Sequence, residues 1–475
     1  MSELQKKEDV EENPSWLRVK RDVLKSLEKP GAKFWIVFAI MMGITSIGIA
    51  CEVYQYRIGL GVGNFDNPHV WSLYIATFIF WIGMSHSGTL LSAILHITQS
   101  EWRKPVYRFA EAMTVFSLLT AFIFVFIHLG RPWQFYYAVP YPNERWLWPN
   151  FQSPLIWDAV AIITYFLSSV IFLYVGCIPD FAICRDNTSG WRNRIYGILA
   201  LNWMGTDRQW RNFRVAYLTI ACFLIPLAVS VHSIVATDFA VSQQPGWHIT
   251  SFPPYFVAGA LYSGCAAIIT LFIILRYVFK FEEYLTLAIL KKTVRLTFAI
   301  AMVWTYLNCV EFASVWYSHE QAAKDVLIQK ATGPYAPFWW AMIFCGSIVP
   351  FAMVMKRWQT NIPVMFAVSL LLNLGMWLER WMIVSPTLSH GYYPWAWNHD
   401  QWPSLIQWGI VFGSFGFFIL MLMLFFKIVP SVSMYEVISL VMKDEEIVKS
   451  KHHWHIDTNE GSQVNLKINE NQTFH

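Results

Sequence analysis

The sequence predicts an all-α integral membrane protein of ten transmembrane helices, and three observations lead there. Hydrophobic residues make up 56% of the 475 and charged residues 14%, with 25 Trp, 36 Phe and 21 Tyr. That is too apolar for an ordinary soluble protein, and the aromatic load suits interfacial belts. Ten stretches are apolar and long enough to span a bilayer. An internal repeat, moderate in its identities, groups them.

Residues 1–33 are polar and of mixed charge, and SWLRVKRDVLKSLEK is expected to form a short amphipathic helix on the membrane surface. The N-terminus lacks the short apolar core of a secretory signal, so the first apolar stretch is expected to be retained. The ten expected spans lie near 33–57, 70–97, 105–128, 154–178, 212–235, 252–279, 295–317, 337–355, 361–383 and 404–428. A polar tail follows from about 430.

Lysine and arginine orient the chain. Of the 35, 29 fall on the side of the two termini, and only Arg57, Arg131, Arg145, Lys324, Lys330 and Arg380 fall on or near the other. Both termini are therefore expected in the cytoplasm.

Sliding the chain on itself aligns WIGMSHSG (81–88) with VAGALYSG (257–264), and HLGRPW (128–133) with EFASVW (311–316). This predicts two consecutive four-helix bundles of like orientation, spans 2–5 and 6–9, flanked by spans 1 and 10. The corresponding divisions are a tail at 1–33, the first span and its outer loop at 34–69, the first bundle at 70–240, the second at 241–390, the tenth span at 391–430 and a tail at 431–475.

The first copy carries His86, His128, Arg131 and Asp158. The second has Tyr262, Glu311, Ser314 and Ala341 at the matching places. Ionisable groups within or at the mouth of a membrane span are expensive, so their default reading is functional. Span 3 runs outward and span 4 inward, which puts His128, Arg131 and Asp158 at one outer mouth with His86 below, near mid-depth. A quinol needs an apolar access route, a hydrogen-bond partner for each ring oxygen and a base that titrates near neutrality. His128 and Asp158 are the candidate base and acceptor, and Arg131 would keep the Asp ionised. His232 and Asp238 lie together near the outer face, with His248 following in the outer loop. His86, Glu111, Asp238, Glu311 and Glu379 are candidates for a chain of protonatable groups, and Glu379–Arg380 equally reads as a local charge pair.

Each of these residues also has a bland reading. A lone membrane histidine often only packs, Arg131 beside Pro132 and Trp133 suits an interfacial anchor, and most of the Trp and Tyr in the loop after span 3 are belt residues. The seven cysteines are spread singly, so covalent haem, iron–sulfur and zinc sites within the chain are not expected. A b-type dihaem bundle would need paired histidines on facing helices, for which spans 4 and 6–10 offer no obvious mid-membrane partners. A secondary transporter would suit the repeat, but its polar site would be expected at the midplane of both copies. A purely structural anchor leaves Arg131 and Asp158 unexplained.

The motifs FWIGMSHSGTLLSAIL, RFAEAMTVF, FIHLGRPW, SPLIWDAVAI, VHSIVATDF and PGWHITSFPPYFVAGA resemble those of the NrfD/PsrC family of quinone-interacting membrane subunits. Within it they look most like the ActC branch of bacterial alternative complex III, and the resemblance covers about residues 33–430. It implies a menaquinol site with no haem, iron–sulfur cluster or metal held by this chain. The implied partners are a periplasmic iron–sulfur subunit, multihaem c-type cytochromes and a paralogous NrfD-like membrane subunit in a bacterial inner membrane, with no nucleic acid. The family's pocket maps onto His128, Arg131 and Asp158, with His86 below. The runner-up is the membrane anchor of a polysulfide or other molybdenum-type reductase.

Overall fold

A computed structural model describes residues 15–65, 69, 73–138, 144–145, 152, 154–392 and 402–443. Most of the Trp-rich loop after span 3, and the last part of the C-terminal tail, lie outside the described residues. Ten helices are long and apolar enough to cross a membrane: Ala32–Ile58 (span 1), Leu73–Ile97 (2), Tyr107–Leu129 (3), Pro154–Asp186 (4), Asp207–Ala240 (5), Phe252–Val278 (6), Leu287–Tyr317 (7), Ala336–Met353 (8), Ile362–Leu388 (9) and Leu405–Ile428 (10). There is no strand among the described residues. The chain is a multi-pass membrane protein.

Several spans outrun the apolar stretches that foretold them. Span 4 continues to Asp186 instead of ending near 178, span 5 begins at Asp207 instead of 212, and span 7 begins at Leu287 instead of 295. The reason is that capping groups, and not the loss of hydrophobicity, set these ends. Thr206 and Gln209 form a reciprocal capping box before span 5, and the Thr286 side chain accepts from the Ile289 N–H before span 7. In span 4 the acid that interrupts the apolar run, Asp180, is buried against Arg108 of span 3 at 2.7 Å, so the helix carries it without a bare charge.

Three surface helices complete the set: α1 (Ser15–Lys25), α2 (Trp191–Leu199) and α3 (Gln321–Thr332). The first was expected from its amphipathic pattern. Two π-helical stretches, Thr89–Ile94 in span 2 and Phe344–Ile348 in span 8, have no sequence signal. Such insertions rotate the side chains that follow them.

Span 2 packs on spans 3, 5, 6 and 9, and span 6 packs on spans 2, 5, 7 and 9. Exchanging 2 with 6, 3 with 7 and 5 with 9 leaves that set of contacts unchanged. Spans 2 and 6 cross with their backbones almost touching: a Cβ on Gly264 would lie 2.8 Å from the Ser87 nitrogen. Small residues allow such close helix approaches in a bilayer, where dispersion contacts replace the hydrophobic drive. Spans 1 and 10 form a seam of the same kind, in which a Cβ on Gly48 would sit 2.6 Å from the Gly413 Cα. Span 10 in turn packs on span 3, and its Ser414 accepts from the Trp81 indole of span 2 at 3.1 Å.

The start of the C-terminal segment is not a free polar tail. Val432, Met434 and Val437 are buried, and Asp180 accepts from the backbone N–H groups of Met434 (3.1 Å) and Tyr435 (3.3 Å). Arg103 donates to Glu436 at 3.1 Å. The apolar residues of SVSMYEVI explain the docking, which covers the end of the first four spans that carries the termini.

Candidate functional site

The mouth of the first half on the side away from the termini is formed where span 3 ends and span 4 begins. His128 sits in the last turn of span 3, and Gly130 closes the helix at φ +63°, a left-handed conformation that favours glycine. A Cβ at Gly130 would also meet Leu60 at 2.8 Å, so the turn after His128 is held against the loop following span 1. Span 4 opens with Pro154 at its first turn, and Asp158 lies one turn further in, buried. Across from it, Asp238 is two residues from the end of span 5. The charged neighbour that acts on Asp158 is Asp238.

This mouth is notable for what its polar atoms lack. Among the described residues, His128 Nδ1, Asp158 Oδ1 and Asp238 Oδ1 are all shielded from solvent and have no hydrogen-bond partner. Unsatisfied buried polar groups are few in native proteins, and each calls for an occupant or a function. Arg131 does not fill the role expected of it. Its side chain is exposed and makes no ion pair with Asp158, because the chain turns away at Gly130.

Deeper in the bundle the expected His86 has a partner that the sequence did not assign. Its ring meets that of His232 edge to face, with centroids 4.2 Å apart. His86 Nε2 lies 2.9 Å from the Ala228 carbonyl of span 5, and Nδ1 lies 3.1 Å from its own helix at Ile82. His86 is 13 residues into span 2, about 20 Å along the helix, which is mid-depth. Both nitrogens of His232 are buried and unpartnered. Tyr165 of span 4 packs on the other side of His86 at 5.5 Å, and its hydroxyl bonds Thr89 at 2.6 Å.

Below Thr89 lies a void of ≈10 Å³, lined also by Thr114, Ser169 and Glu111. It is about the size of one water, and both Glu111 Oε2 and Ser169 Oγ face the interior without a partner. The other oxygen of Glu111 accepts from Ser92 and from Tyr217 at 2.5 Å. Ser92 reaches Glu111 from within the π-helical stretch, so that local rotation helps build the site. Polar groups thus follow one another from His232 to His86, Tyr165, Thr89 and Glu111.

The second half holds a separate ionic cluster. Arg380 pairs with its neighbour Glu379, Nε to Oε2 at 3.0 Å, and its guanidinium lies over the Phe256 ring at 4.7 Å. Glu311 of span 7 is buried beside Lys330 of α3, a lysine expected among the outer-side charges. Burial lowers the Lys330 ammonium from its ordinary value, and Glu311 and Glu379 oppose that shift. Arg380 also contributes its charge at both His86 and His232, so the cluster adjoins the histidine pair where the halves meet. His248 is elsewhere: exposed in the outer loop, it lies 3.0 Å from Glu320, which also accepts from Tyr392 at 3.1 Å.

Of the expected site residues, then, the structure brings Asp158 and Asp238 together at one mouth, where His128 caps span 3. It leaves Arg131 and His248 outside that group and places Glu311 and Glu379 in the second half. It adds Tyr165 and Tyr217, which had no sequence signal, and gives His232 and Lys330 the neighbours His86 and Glu311.

Residues 61–390 match the family described as "Polysulphide reductase, NrfD". The chain is 26% identical over 256 residues, 54% of each protein, to a protein from Halobacterium salinarum described as a candidate membrane subunit of dimethyl sulfoxide reductase. It is 23% identical to a selenate reductase subunit of Mesobacillus selenatarsenatis, over 83% of this chain and 94% of that one. It is 22% identical to the Hdr-like menaquinol oxidoreductase integral membrane subunit of Archaeoglobus fulgidus, over 76% and 81%. The chain thus spans about half the length of the first of these relatives and most of the other two.

Proposed function

The chain belongs to the NrfD family of membrane subunits, and on that premise we propose that it binds and oxidises menaquinol at the outer mouth of spans 2–5. It is a membrane subunit of a quinone-interacting oxidoreductase complex, and the relative named as a menaquinol oxidoreductase subunit supports that quinone. The observation that carries the site is the trio of shielded atoms with no partner among the described residues, His128 Nδ1, Asp158 Oδ1 and Asp238 Oδ1.

Two carboxylates beside each other with no cation cannot both hold charge at low cost, so the pair is suited to taking up and passing on protons. In our reading the quinol head lies between His128 and Asp158, its two hydroxyls hydrogen-bonded to them, with its tail among the apolar side chains of the spans. Loss of two protons and two electrons gives the quinone. The protons leave by Asp158 and Asp238 to the outside, and the electrons pass to a redox-active partner. By the resemblance this is a periplasmic iron–sulfur subunit, with multihaem cytochromes beyond it. Both termini are cytoplasmic in this reading, and spans 2–5 and 6–9 are the two repeated units. Arg131 would meet the quinol or a partner from the exposed rim.

The test is menaquinol oxidation by the native complex purified with Asp158→Asn or His128→Ala. Turnover should fall about 10²-fold or more, the usual scale for a positioned base, while assembly persists. Normal turnover in both assembled variants would move the site elsewhere, with Glu311 the next candidate.

The similarity to the selenate reductase subunit, which extends over 94% of that protein, favours a second reading. In it the chain anchors a reductase and feeds quinol electrons to that enzyme instead of to cytochromes. The proteins that co-purify with the native complex separate the two.

A further inference from the structure

On the face that carries both termini, a groove of ≈460 Å³ runs between α1 and the loop and helix that follow span 4. Leu24, Leu27 and Tyr196 give it an apolar floor. Lys20, Arg21, Lys25 and Arg192 stand around it, against a single acid, Glu28. Lys20, Arg21 and Lys25 form no ion pair among the described residues.

The helix that presents these charges is firmly attached. Val19 and Val23 are buried, Arg18 pairs with Glu283 at 2.5 Å, Tyr284 donates to Asp22 at 3.0 Å, and Lys427 donates to the Ser26 carbonyl at 2.9 Å. Arg192 is held from the opposite wall by a bond to the Leu27 carbonyl at 3.2 Å. The groove is therefore a built feature, with three basic groups left uncommitted.

Its depth fixes the kind of occupant. α1 leads directly into span 1, and the other wall follows the end of span 4, so the groove opens at the level where lipid headgroups lie. Beside it, α2 and the turn after it expose Trp191 (70%), Ile198 (69%), Leu201 (63%) and Met204 (76%). Side chains this apolar, next to a basic rim, suit acyl chains below a phosphate and not water. Basic pockets between membrane helices recognise anionic headgroups in this way.

We propose that the groove between α1 and α2 is a binding site for an anionic membrane phospholipid. The phosphodiester lies among Lys20, Arg21, Lys25 and Arg192, and the acyl chains run down past Ile198 and Leu201. The lipid would then fasten the N-terminal helix to the ends of spans 4 and 5.

Native mass spectrometry of the intact complex in detergent tests this, with phosphatidylglycerol and phosphatidylcholine titrated in parallel. Phosphatidylglycerol should be retained in preference. The triple variant K20Q/R21Q/K25Q should bind it about 100-fold more weakly, at roughly fivefold for each basic group lost at a membrane surface. K291Q/K292Q/R295Q removes as many charges elsewhere on the same face and should leave retention unchanged. If the triple variant does not assemble, the single change R21Q, at an exposed position, should still weaken retention several-fold. Inorganic phosphate at millimolar concentration should not displace the lipid. Equal retention of the two lipids, equal loss in both triple variants, no loss in R21Q, or displacement by phosphate would each overturn the proposal.

Discussion

At the scale of residues, the proposed site divides into groups that would hold a quinol and groups that would only support it. Asp158 and His128 were legible because a membrane helix has no cheap use for them. Arg131 was legible as a charge but not in its orientation, which the turn at Gly130 decides. His232 was legible beside Asp238 but not as the partner of His86, which lies more than 140 positions away in the chain. That contact gives a prediction. His232→Phe keeps the ring packing on His86 but removes both unpartnered nitrogens, so it should fold and assemble as the parent does. If His232 relays protons from the mouth, turnover should fall at least tenfold. An unchanged rate would assign it to packing.

Glu111 is the residue on which a claim of proton movement rests. Its Oε2 faces a space about the size of one water, and its other oxygen is already committed to Ser92 and Tyr217. In the proposed reading, protons released by quinol at the mouth reach the outside without it. Glu111→Gln should therefore leave quinol oxidation largely intact but lower the protons translocated per electron in liposomes. An unchanged ratio would remove Glu111 from any route.

At the scale of elements, ten spans were legible from hydropathy alone, because a bilayer allows few alternatives to a long apolar helix. Their ends were not, since Thr206 and Thr286 cap helices well beyond the apolar run and Asp180 is neutralised by Arg108. The π-helical stretch at Thr89–Ile94 was invisible for a different reason: one extra residue in a turn changes no composition. It is nonetheless what carries Ser92 to Glu111. Deleting Leu91 should restore an ordinary helical turn and separate those two side chains. The expected result is an assembled complex with the same proton-to-electron deficit as Glu111→Gln, and a normal ratio would contradict it.

The seam between spans 1 and 10 makes a simpler prediction. Gly413→Leu would place a side chain where the Gly48 backbone stands 2.6 Å from a Cβ. Overpacking of that kind costs about 1–3 kcal/mol, so the melting temperature should fall while the first half keeps its menaquinol affinity. Loss of affinity together with stability would mean that the flanking pair shapes the site.

At the scale of the whole molecule, span 2 meets spans 6 and 9 while span 6 meets spans 2 and 5. The two halves nevertheless carry different chemistry. Among the described residues, the first has two acids and a histidine at its mouth with no ion pair between them and a cation, and the second has the ion pair Glu379–Arg380 in its ionic cluster. Paired charges are a poor place for a ligand to exchange protons, and that contrast underlies the choice of the first half. The orientation follows from the lysine and arginine bias and is checked by impermeant thiol labelling. A cysteine placed at Ser318 should react from outside intact cells and one at Asn187 should not.

The central claim is that menaquinol sits at the mouth formed by His128, Asp158 and Asp238. A photoreactive menaquinone analogue, cross-linked in the native complex and mapped by peptide mass spectrometry, tests it most directly. Labelled peptides should come from residues 123–138, 154–162 and 232–240, and Asp158→Asn should abolish the labelling. Labelling confined to peptides around Glu311 and Lys330, unaffected by Asp158→Asn, would contradict the account.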